Sequence, residues 1–528
     1  MIRRIRIILA TVFFLGITLM FLDFTGTLHH WLGWMAKIQF LPAALALNVL
    51  VIVVLLCLTL VFGRVYCSVI CPLGVMQDVF ASFGKKVRKN RYSYSKPMAW
   101  LRYMMLVIMI VAIVAGVGSI VQLLAPYSAY GRIATMLLQP LWQLGNNGLA
   151  AIAERADSYA FYSVDVWTKS LPVLFVALTT MIILFVLAWR NGRTYCNTIC
   201  PVGTVLGFVA RFSFFKIRFD ADKCRNCSLC SKNCKASCID YKNHSVDYSR
   251  CVVCGDCIEK CNFGALKYRL SGFSGSSSNS SRSSNSSRSS NSSNSSSSSR
   301  SSNFSPSSPQ TTSYNQNTTD ASRRSFLVSS SALLATAVIA QDKKIVDGGL
   351  AVIKQKVAPQ RQTPLTPPGS LSASNMAKRC TGCQLCVSEC PNGVLRPTMD
   401  LLHIMQPVMS YERGYCRPEC TRCSDVCPAG AIKPLDGAEK SSIQIGHAVW
   451  IRKNCLPVAD GIECGNCERH CPSGAIEMVP SDPDDETSAY IPVVNEARCI
   501  GCGACEYVCP SRPFPAIYVE GHEVHRTI

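Results

Sequence analysis

The chain has 528 residues, a formal net charge of +20 and 30 cysteines, and 48% of its residues are hydrophobic. So many cysteines exclude an ordinary cytosolic enzyme, and their grouping in Cys-x-x-Cys runs favours metal binding over disulfides. Much of the basic charge flanks apolar runs, as in a membrane protein, so we expect no nucleic-acid partner.

The first 210 residues contain four apolar runs near the roughly 20 residues that cross a bilayer as a helix. They extend over residues 7–22, 41–62, 103–125 and 171–189. An uncharged stretch at 133–153 contains Pro140 and several glycines and asparagines, so we expect it to be interfacial or re-entrant. We therefore predict an all-α, four-helix transmembrane domain over residues 1–215, with multiple passes through the bacterial inner membrane.

Basic residues predict the orientation of these helices. They concentrate at the N-terminus, at 85–96 and at Arg190, Arg193 and Arg211, after the fourth run. The positive-inside rule places all three groups on the cytoplasmic side.

An internal repeat follows the second and fourth runs. Residues 63–74 read GRVYCSVICPLG, and residues 192–203 read GRTYCNTICPVG. The repeat predicts two parallel helical pairs related by an axis along the bilayer normal.

The repeat brings two Cys-x3-Cys-Pro motifs to equivalent depth near the inner interface. Their cysteines could form a dithiol relay, bind an additional metal or simply pack, and we predict a redox or quinol-linked role. We expect Arg64 and Arg193 to contact quinone, the alternative being that they snorkel to lipid phosphates. The four cysteines are Cys67, Cys71, Cys196 and Cys200.

Residues 216–270 carry the cysteine run of a two-cluster ferredoxin, an α+β fold. In such runs three closely spaced cysteines bind one 4Fe–4S cluster and the fourth binds the neighbouring cluster. The proline that usually follows the fourth cysteine is replaced by Lys235 and Asn262, and Cys238 competes with Cys234 as a ligand. Structural zinc is the less favoured alternative. We expect one cluster on Cys224, Cys227, Cys230 and Cys261, and the other on Cys251, Cys254, Cys257 and Cys234.

The middle of the chain predicts an export signal. Residues 271–321 are a serine- and asparagine-rich linker that we expect to be disordered. Residues 322–341 begin with Arg323-Arg324 and continue into a short apolar run, which predicts a twin-arginine signal or anchor helix. A second linker, at 342–375, leads to a domain that we expect to be exported already folded.

Residues 376–528 predict a four-cluster ferredoxin domain in the periplasm. Each group of four cysteines ends before a proline, and repeated spacing of this kind is not required by disulfides. From the longer gaps in the two inner groups, we expect the outer groups to pair with each other and the inner groups likewise. The groups are Cys380, Cys383, Cys386, Cys390; Cys416, Cys420, Cys423, Cys427; Cys455, Cys464, Cys467, Cys471; and Cys499, Cys502, Cys505, Cys509.

The motifs resemble known electron-transfer families. Residues 1–265 resemble the membrane ferredoxin-type (H-type) subunit of periplasmic nitrate reductase systems, and the Gly-Arg-x-Tyr-Cys-x3-Cys-Pro element also resembles the nitrous oxide reductase accessory polyferredoxin. Residues 322–528 are similar to the exported (G-type) subunit and to methylamine-utilisation ferredoxins. The resemblance implies two fused subunits that oxidise membrane quinol and reduce a periplasmic acceptor.

We therefore expect a membrane-bound electron-transfer protein with six 4Fe–4S clusters. Quinol from the membrane pool would donate electrons, and a periplasmic reductase or c-type cytochrome would accept them. Two alternatives remain: an accessory polyferredoxin that matures or senses a partner metalloenzyme, and outward transfer from a cytoplasmic donor. The chain contains no Cys-x-x-Cys-His motif for haem attachment, so a mobile quinone is the simplest bridge between the two faces.

Overall fold

The computed structural model describes residues 2–87, 92–270, 356–485 and 488–528. The predicted serine-rich linker and twin-arginine segment lie outside the described residues. Up to Ala210 the described chain is helical, with a π-helical turn at Ala134–Leu138 between α10 and α11. The helices are α1 (Ile2–Leu22), α2 (Thr27–Leu32), α3 (Trp34–Lys37), α4 (Phe40–Leu45), α5 (Val49–Phe62), α6 (Val65–Val69), α7 (Pro72–Val87), α8 (Ala99–Ala115), α9 (Gly118–Leu124), α10 (Pro126–Ile133), α11 (Gln139–Arg155), α12 (Leu171–Asn191), α13 (Thr194–Thr198) and α14 (Pro201–Ala210).

The internal repeat folds twice into the same arrangement. Helices α5 and α12 end just before Gly63 and Gly192, whose φ angles of 78° and 74° favour glycine. The short helices α6 and α13 follow, and Pro72 and Pro201 then open α7 and α14, where proline's missing N–H is no loss. Each motif's second cysteine therefore lies immediately before a helix.

Two of the predicted runs are not continuous helices. The run at 41–62 is interrupted by Leu47, which has a φ angle of 56°, so α4 is separate from α5. The run at 103–125 is interrupted by Gly116 at φ 71°, between α8 and α9. The stretch at 133–153 is helical, as part of the π-helical turn and α11.

The length and composition of the helices only partly match the predicted four spans. Among the described residues, α1 and α12 are long and apolar enough to cross a membrane. Helices α5, α8 and α14 are apolar but shorter.

The first ferredoxin domain packs small strands around its cysteines. Strands β1 (Phe215–Phe219) and β4 (Leu266–Leu270) pair antiparallel, with Ile217 opposite Tyr268, and β2 (Ile239–Asp240) pairs with β3 (Ser245–Val246). Short helices at Leu229–Lys232 and Asp256–Glu259 follow the Cys-x-x-Cys turns. This confirms the predicted α+β class for the domain.

The C-terminal domain repeats this design with three antiparallel pairs of strands. β5 (Leu395–Pro397) pairs with β6 (Pro407–Met409), β7 (Ile443–Trp450) with β10 (Ile517–Thr527), and β8 (Ile476–Pro480) with β9 (Tyr490–Val494). Its α-helices are Ala373–Arg379, Leu385–Glu389, Arg422–Asp425, Gly437–Ser442, Leu456–Ala459, Asn466–Arg469 and Ala504–Val508, and a 3-10 turn lies at Arg452–Asn454.

The folded domain begins earlier than the sequence predicted. Arg361, inside the predicted linker at 342–375, forms an ion pair of 2.6 Å with the buried Glu506. Thr366 and Ser370 are also buried. From residue 356 onward the described chain therefore packs against the C-terminal domain, because these polar residues find partners there.

Candidate metal centres and a buried cysteine quartet

The first ferredoxin domain brings together the cysteines predicted for its two clusters. Cys224, Cys227, Cys230 and Cys261 line one cavity with a volume of about 360 Å³. In the second set, Cys234 lies within electrostatic range of Cys254 and Cys257. Cys238 remains a rival ligand, because its Sγ lies 3.5 Å from that of Cys234.

The C-terminal domain pairs its groups differently from our expectation. The fourth cysteine of the first group joins the second group in one cavity, and the third and fourth groups share another. The expected pairing of outer with outer and inner with inner groups is therefore wrong. Consecutive groups exchange their last cysteines, which is the ligand pattern of a two-cluster ferredoxin run. The four sets are Cys380, Cys383, Cys386, Cys427; Cys390, Cys416, Cys420, Cys423; Cys455, Cys464, Cys467, Cys509; and Cys471, Cys499, Cys502, Cys505.

Neighbouring sets in this domain touch in a definite order. Cys386 interacts electrostatically with Cys423, which links the first two sets. The Cys416 backbone N–H donates to the Cys502 carbonyl over 3.0 Å, and Cys505 interacts with Cys467. The four sets therefore form a continuous series.

The repeated Cys-x3-Cys-Pro motifs converge on one site, the cysteine quartet of Cys67, Cys71, Cys196 and Cys200. Each of the four side chains is only 4% exposed. Negative charge on any of the other three thiols would raise the pKa of Cys200, and charge on Cys67 or Cys196 would raise the pKa of Cys71, so the four are neighbours. The quartet thus takes two thiols from each half of the repeat.

Each half of the repeat also sends an arginine into the other half. Arg64 donates to the Cys196 carbonyl over 3.2 Å and approaches the Cys67 Sγ at 3.7 Å. Arg193 donates to the Cys67 carbonyl. Both arginines are fully buried, so the alternative in which they reach lipid phosphates is wrong. Their contact with quinone stays a prediction.

The charge of Arg193 is balanced by the carboxylate of Asp78, which no sequence motif indicates. Asp78 accepts from Arg193 Nε over 2.7 Å and pairs with Arg6 at 2.7 Å and Lys235 at 3.5 Å. Burial opposes ionisation, but Arg193, Lys235 and Arg6 together hold the pKa of Asp78 well below its usual range. A single acidic residue within the apolar start of α7 was the available sequence signal.

Lys235 explains one departure from the ferredoxin pattern, where proline is usual. Its Nζ lies 3.1 Å from Asp256 Oδ2, and its carbonyl accepts from the Arg193 backbone N–H over 2.9 Å. An added Cβ at Gly192 would collide with that carbonyl. The lysine therefore joins the first ferredoxin domain to the second repeat motif.

Burial has the largest effect on the pKa values of the quartet thiols. It raises the pKa of Cys196 to about 11, although Arg193 and Arg64 oppose the shift, and it raises the pKa of Cys71 and Cys200. Gln77, which the sequence did not single out, donates to the Cys196 Sγ over 3.3 Å.

Models of iron–sulfur protein families match four segments of the chain. Residues 44–90 and 173–220 match a 4Fe-4S binding domain family, residues 462–512 match a 4Fe-4S dicluster domain, and residues 376–396 match a further 4Fe-4S binding domain. The chain is 32% identical over 167 residues to the methylamine utilization ferredoxin-type protein MauM of Methylobacillus flagellatus, covering 30% of this chain and 70% of that relative.

The chain belongs to the ferredoxin-type protein family of MauM and NapG. It is 30% identical over 185 residues to the ferredoxin-type protein NapG of Escherichia coli, covering 31% of this chain and 75% of NapG. It is 24% identical over 229 residues to the putative electron transport protein YccM of Escherichia coli, covering 42% of this chain and 55% of YccM. No solved structure matches the chain. The ferredoxin-type protein described here is therefore an iron–sulfur electron-transfer protein with 4Fe-4S domains.

Proposed function

We propose that this ferredoxin-type protein is anchored in the bacterial inner membrane and conducts electrons between iron–sulfur clusters on its two faces. Membrane quinol donates the electrons, and a periplasmic reductase or c-type cytochrome accepts them. The observation that carries the proposal is that one apolar helix, α1, contacts both ferredoxin domains, one at each of its ends.

The contacts at the two ends of α1 involve charged or polar groups. At the start, Arg3 forms an ion pair of 2.9 Å with Asp256 of the first ferredoxin domain. Just beyond the end, the Thr25 carbonyl accepts from Arg422 of the C-terminal domain over 2.8 Å. A helix of 21 residues is about 31 Å long, which matches the roughly 30 Å thickness of a hydrocarbon core.

Apolar side chains on the outer faces of the helices support a membrane environment. Leu50 is 74% exposed on α5, Val114 is 84% exposed on α8 and Phe175 is 66% exposed on α12. Large apolar side chains exposed on several neighbouring helices favour contact with lipid. The basic residues that contact the first ferredoxin domain favour a cytoplasmic position for it.

A cleft beside the second repeat motif offers space for a quinol headgroup. It has a volume of about 830 Å³ and lies next to Arg193 and Asn197. Asn197 is within hydrogen-bond distance of Arg64, at 2.9 Å from Oδ1 to Nη1, and Arg64 contacts the quartet. Oxidation of one quinol to quinone here would release two electrons close to the quartet and to the first ferredoxin domain, and two protons to the water in the open cleft.

Anaerobic stopped-flow mixing with a short-chain quinol tests the proposed donor. We expect the visible absorbance of the clusters to bleach rapidly in the wild-type protein and much more slowly in Asn197→Ala. Dithionite should reduce both proteins, which controls for intact clusters. Wild-type protein that dithionite reduces but quinol does not would contradict quinol oxidation and favour a cytoplasmic donor or an accessory role.

Protease protection in spheroplasts tests the proposed arrangement in the membrane. We expect external protease to digest residues 356–528 in intact spheroplasts and to reach residues 216–270 only after lysis. Protection of both domains, or digestion of both, would contradict clusters on opposite faces.

A further inference from the structure

We propose that the loop between β5 and β6 of the C-terminal domain enters the outer leaflet of the bilayer and binds phospholipid acyl chains just below the headgroups. The loop comprises residues 398–406 and is called the β5–β6 loop below. The inference rests on the proposed membrane anchoring and adds to it a lipid contact made by a ferredoxin domain.

The tip of the β5–β6 loop is apolar and exposed. Leu401 is 83% exposed, Leu402 is 59% exposed and Met399 is 45% exposed. The two charged residues of the loop partner each other, with 2.6 Å between His403 Nδ1 and Asp400 Oδ2. Large apolar side chains that are exposed side by side mark an interaction surface.

The backbone of the β5–β6 loop has the hydrogen bonds that a segment near lipid requires. At its base the Thr398 N–H donates to the Gln406 carbonyl over 2.7 Å. At its tip the carbonyls of Leu401 and Leu402 accept from the side chain and the backbone N–H of Ser119, respectively. Irregular backbone is tolerated at membrane depth only where its polar groups are paired, so these bonds allow the tip to lie at the interface.

The inner side of the β5–β6 loop packs against the helices. Met405 is fully buried in an apolar cluster with Met136 of the π-helical turn and with Val173 and Ala177 of α12. This packing fixes the loop on the helices, so that its remaining apolar side chains point away from them.

The loop lies at the ends of the helices that we assign to the outer face. Helix α8 begins after the basic stretch at 85–96, and α12 ends among basic residues. The loop contacts the opposite ends, through Ser119 just after α8 and through Ser170, whose Oγ lies 3.3 Å from the Met399 Sδ just before α12. The positive-inside rule therefore places the loop at the outer interface.

The surface next to the loop favours lipid over a protein partner. Val114 near the end of α8, Leu123 on α9 and Leu171 at the start of α12 are all exposed. The apolar tip thus continues the apolar outer faces of the helices on both sides. A bilayer that surrounds these helices would cover the tip at the same time, and no separate partner is needed.

Photolabelling of the wild-type full chain tests the proposal. The protein is placed in vesicles of phosphatidylcholine that carries a photoreactive diazirine on its acyl chain, and labelled peptides are mapped by mass spectrometry. We expect label on the peptides that contain Leu401 and Leu402, as on those from α8 and α12. The peptide that contains Ile462, an exposed apolar residue of the third cysteine group, should carry none.

A tryptophan at the tip gives a second measurement. In vesicles of brominated phosphatidylcholine, most of the fluorescence that Leu401→Trp adds to that of the wild type should be quenched. Bromine near the headgroup should quench it more than bromine near the chain end. Ile462→Trp is the matched control, and its added fluorescence should persist.

The outcomes separate this proposal from membrane anchoring itself. Label on α8 and α12 but not on the β5–β6 loop would overturn the lipid contact and leave the anchoring intact. Cross-links from the loop to a second copy of the chain, in place of lipid label, would overturn it in favour of a protein interface. Absence of label from the helices as well would contradict both proposals.

Discussion

Asp78 and Arg193 form a buried ion pair that joins the two halves of the internal repeat, with 2.7 Å between Oδ1 and Nε. Asp78 lies on α7, after the first motif, and Arg193 opens the second motif. Lys235 extends the network to the first ferredoxin domain. One carboxylate therefore connects three parts of the chain.

Asp78→Asn should destabilise the protein strongly. It removes the counter-charge of Arg193, and loss of one partner of a buried ion pair costs about 3–5 kcal/mol. We expect a clearly lower melting temperature in detergent, measured by intrinsic fluorescence. Asp157→Asn is the matched control, because Asp157 is exposed on a positive-φ turn that asparagine tolerates. Equal melting temperatures for the two variants would show that the network contributes no stability.

The pairing of the cysteine groups predicts a pattern of iron loss in double variants. Cys380 and Cys427 belong to one set, so Cys380→Ser/Cys427→Ser should lose about four iron atoms, as either single variant does. Cys416 belongs to another set, so Cys416→Ser/Cys427→Ser should lose about eight. Iron analysis of the five proteins measures both totals. The reverse pattern would show that each group keeps its own fourth cysteine.

Gly131→Ala should loosen the contact between α10 and the C-terminal domain. An added Cβ at Gly131 would collide with the Cys383 carbonyl and crowd Phe21, whereas an added Cβ at Gly145 would meet nothing within 4 Å. Hydrogen exchange of residues 380–390 should therefore accelerate in Gly131→Ala and stay unchanged in Gly145→Ala. Unchanged exchange in both variants would mean that the backbone shifts at little cost.

Trp167→Ala should weaken the same interface at a second point. The guanidinium carbons of Arg396 and Arg413 lie 4.9 and 4.7 Å from the Trp167 ring centroid. Two such contacts contribute about 1–2 kcal/mol together, so trypsin cleavage in the C-terminal domain should accelerate about 5–30-fold. Trp142→Ala removes a half-exposed tryptophan and serves as the control. A similar rate in both variants would contradict a contribution from the stacked arginines.

The sequence predicted the ferredoxin domains well because cysteine spacing is a local property. The intervals around Cys224 and Cys251 are enough to indicate two clusters and their shared ligands. Helix lengths were harder to predict, because Leu47 and Gly116 turn the backbone within apolar stretches that composition cannot divide.

Tertiary contacts were beyond the reach of motif analysis. The exchange of Cys390 and Cys427 between consecutive groups depends on how two turns pack. The longer cysteine gaps in the two inner groups instead suggested that the inner groups pair with each other, which is wrong. The repeat drew attention to Cys67 and Cys196, but their convergence depends on α7 and α12 packing together. Asp78 was missed because a charged residue acquires its partners only when distant segments meet.

The contacts at the ends of α1 give this helix the role of a spacer. Arg3 and Thr25 each contact one cysteine-rich domain, so the rise of the helix sets the separation of these two contacts. An added turn would lengthen that distance by about 5.4 Å. The rate of electron tunnelling decays exponentially with distance. The number of residues in α1, a helix without cluster ligands, would therefore determine the rate of electron transfer between the two domains.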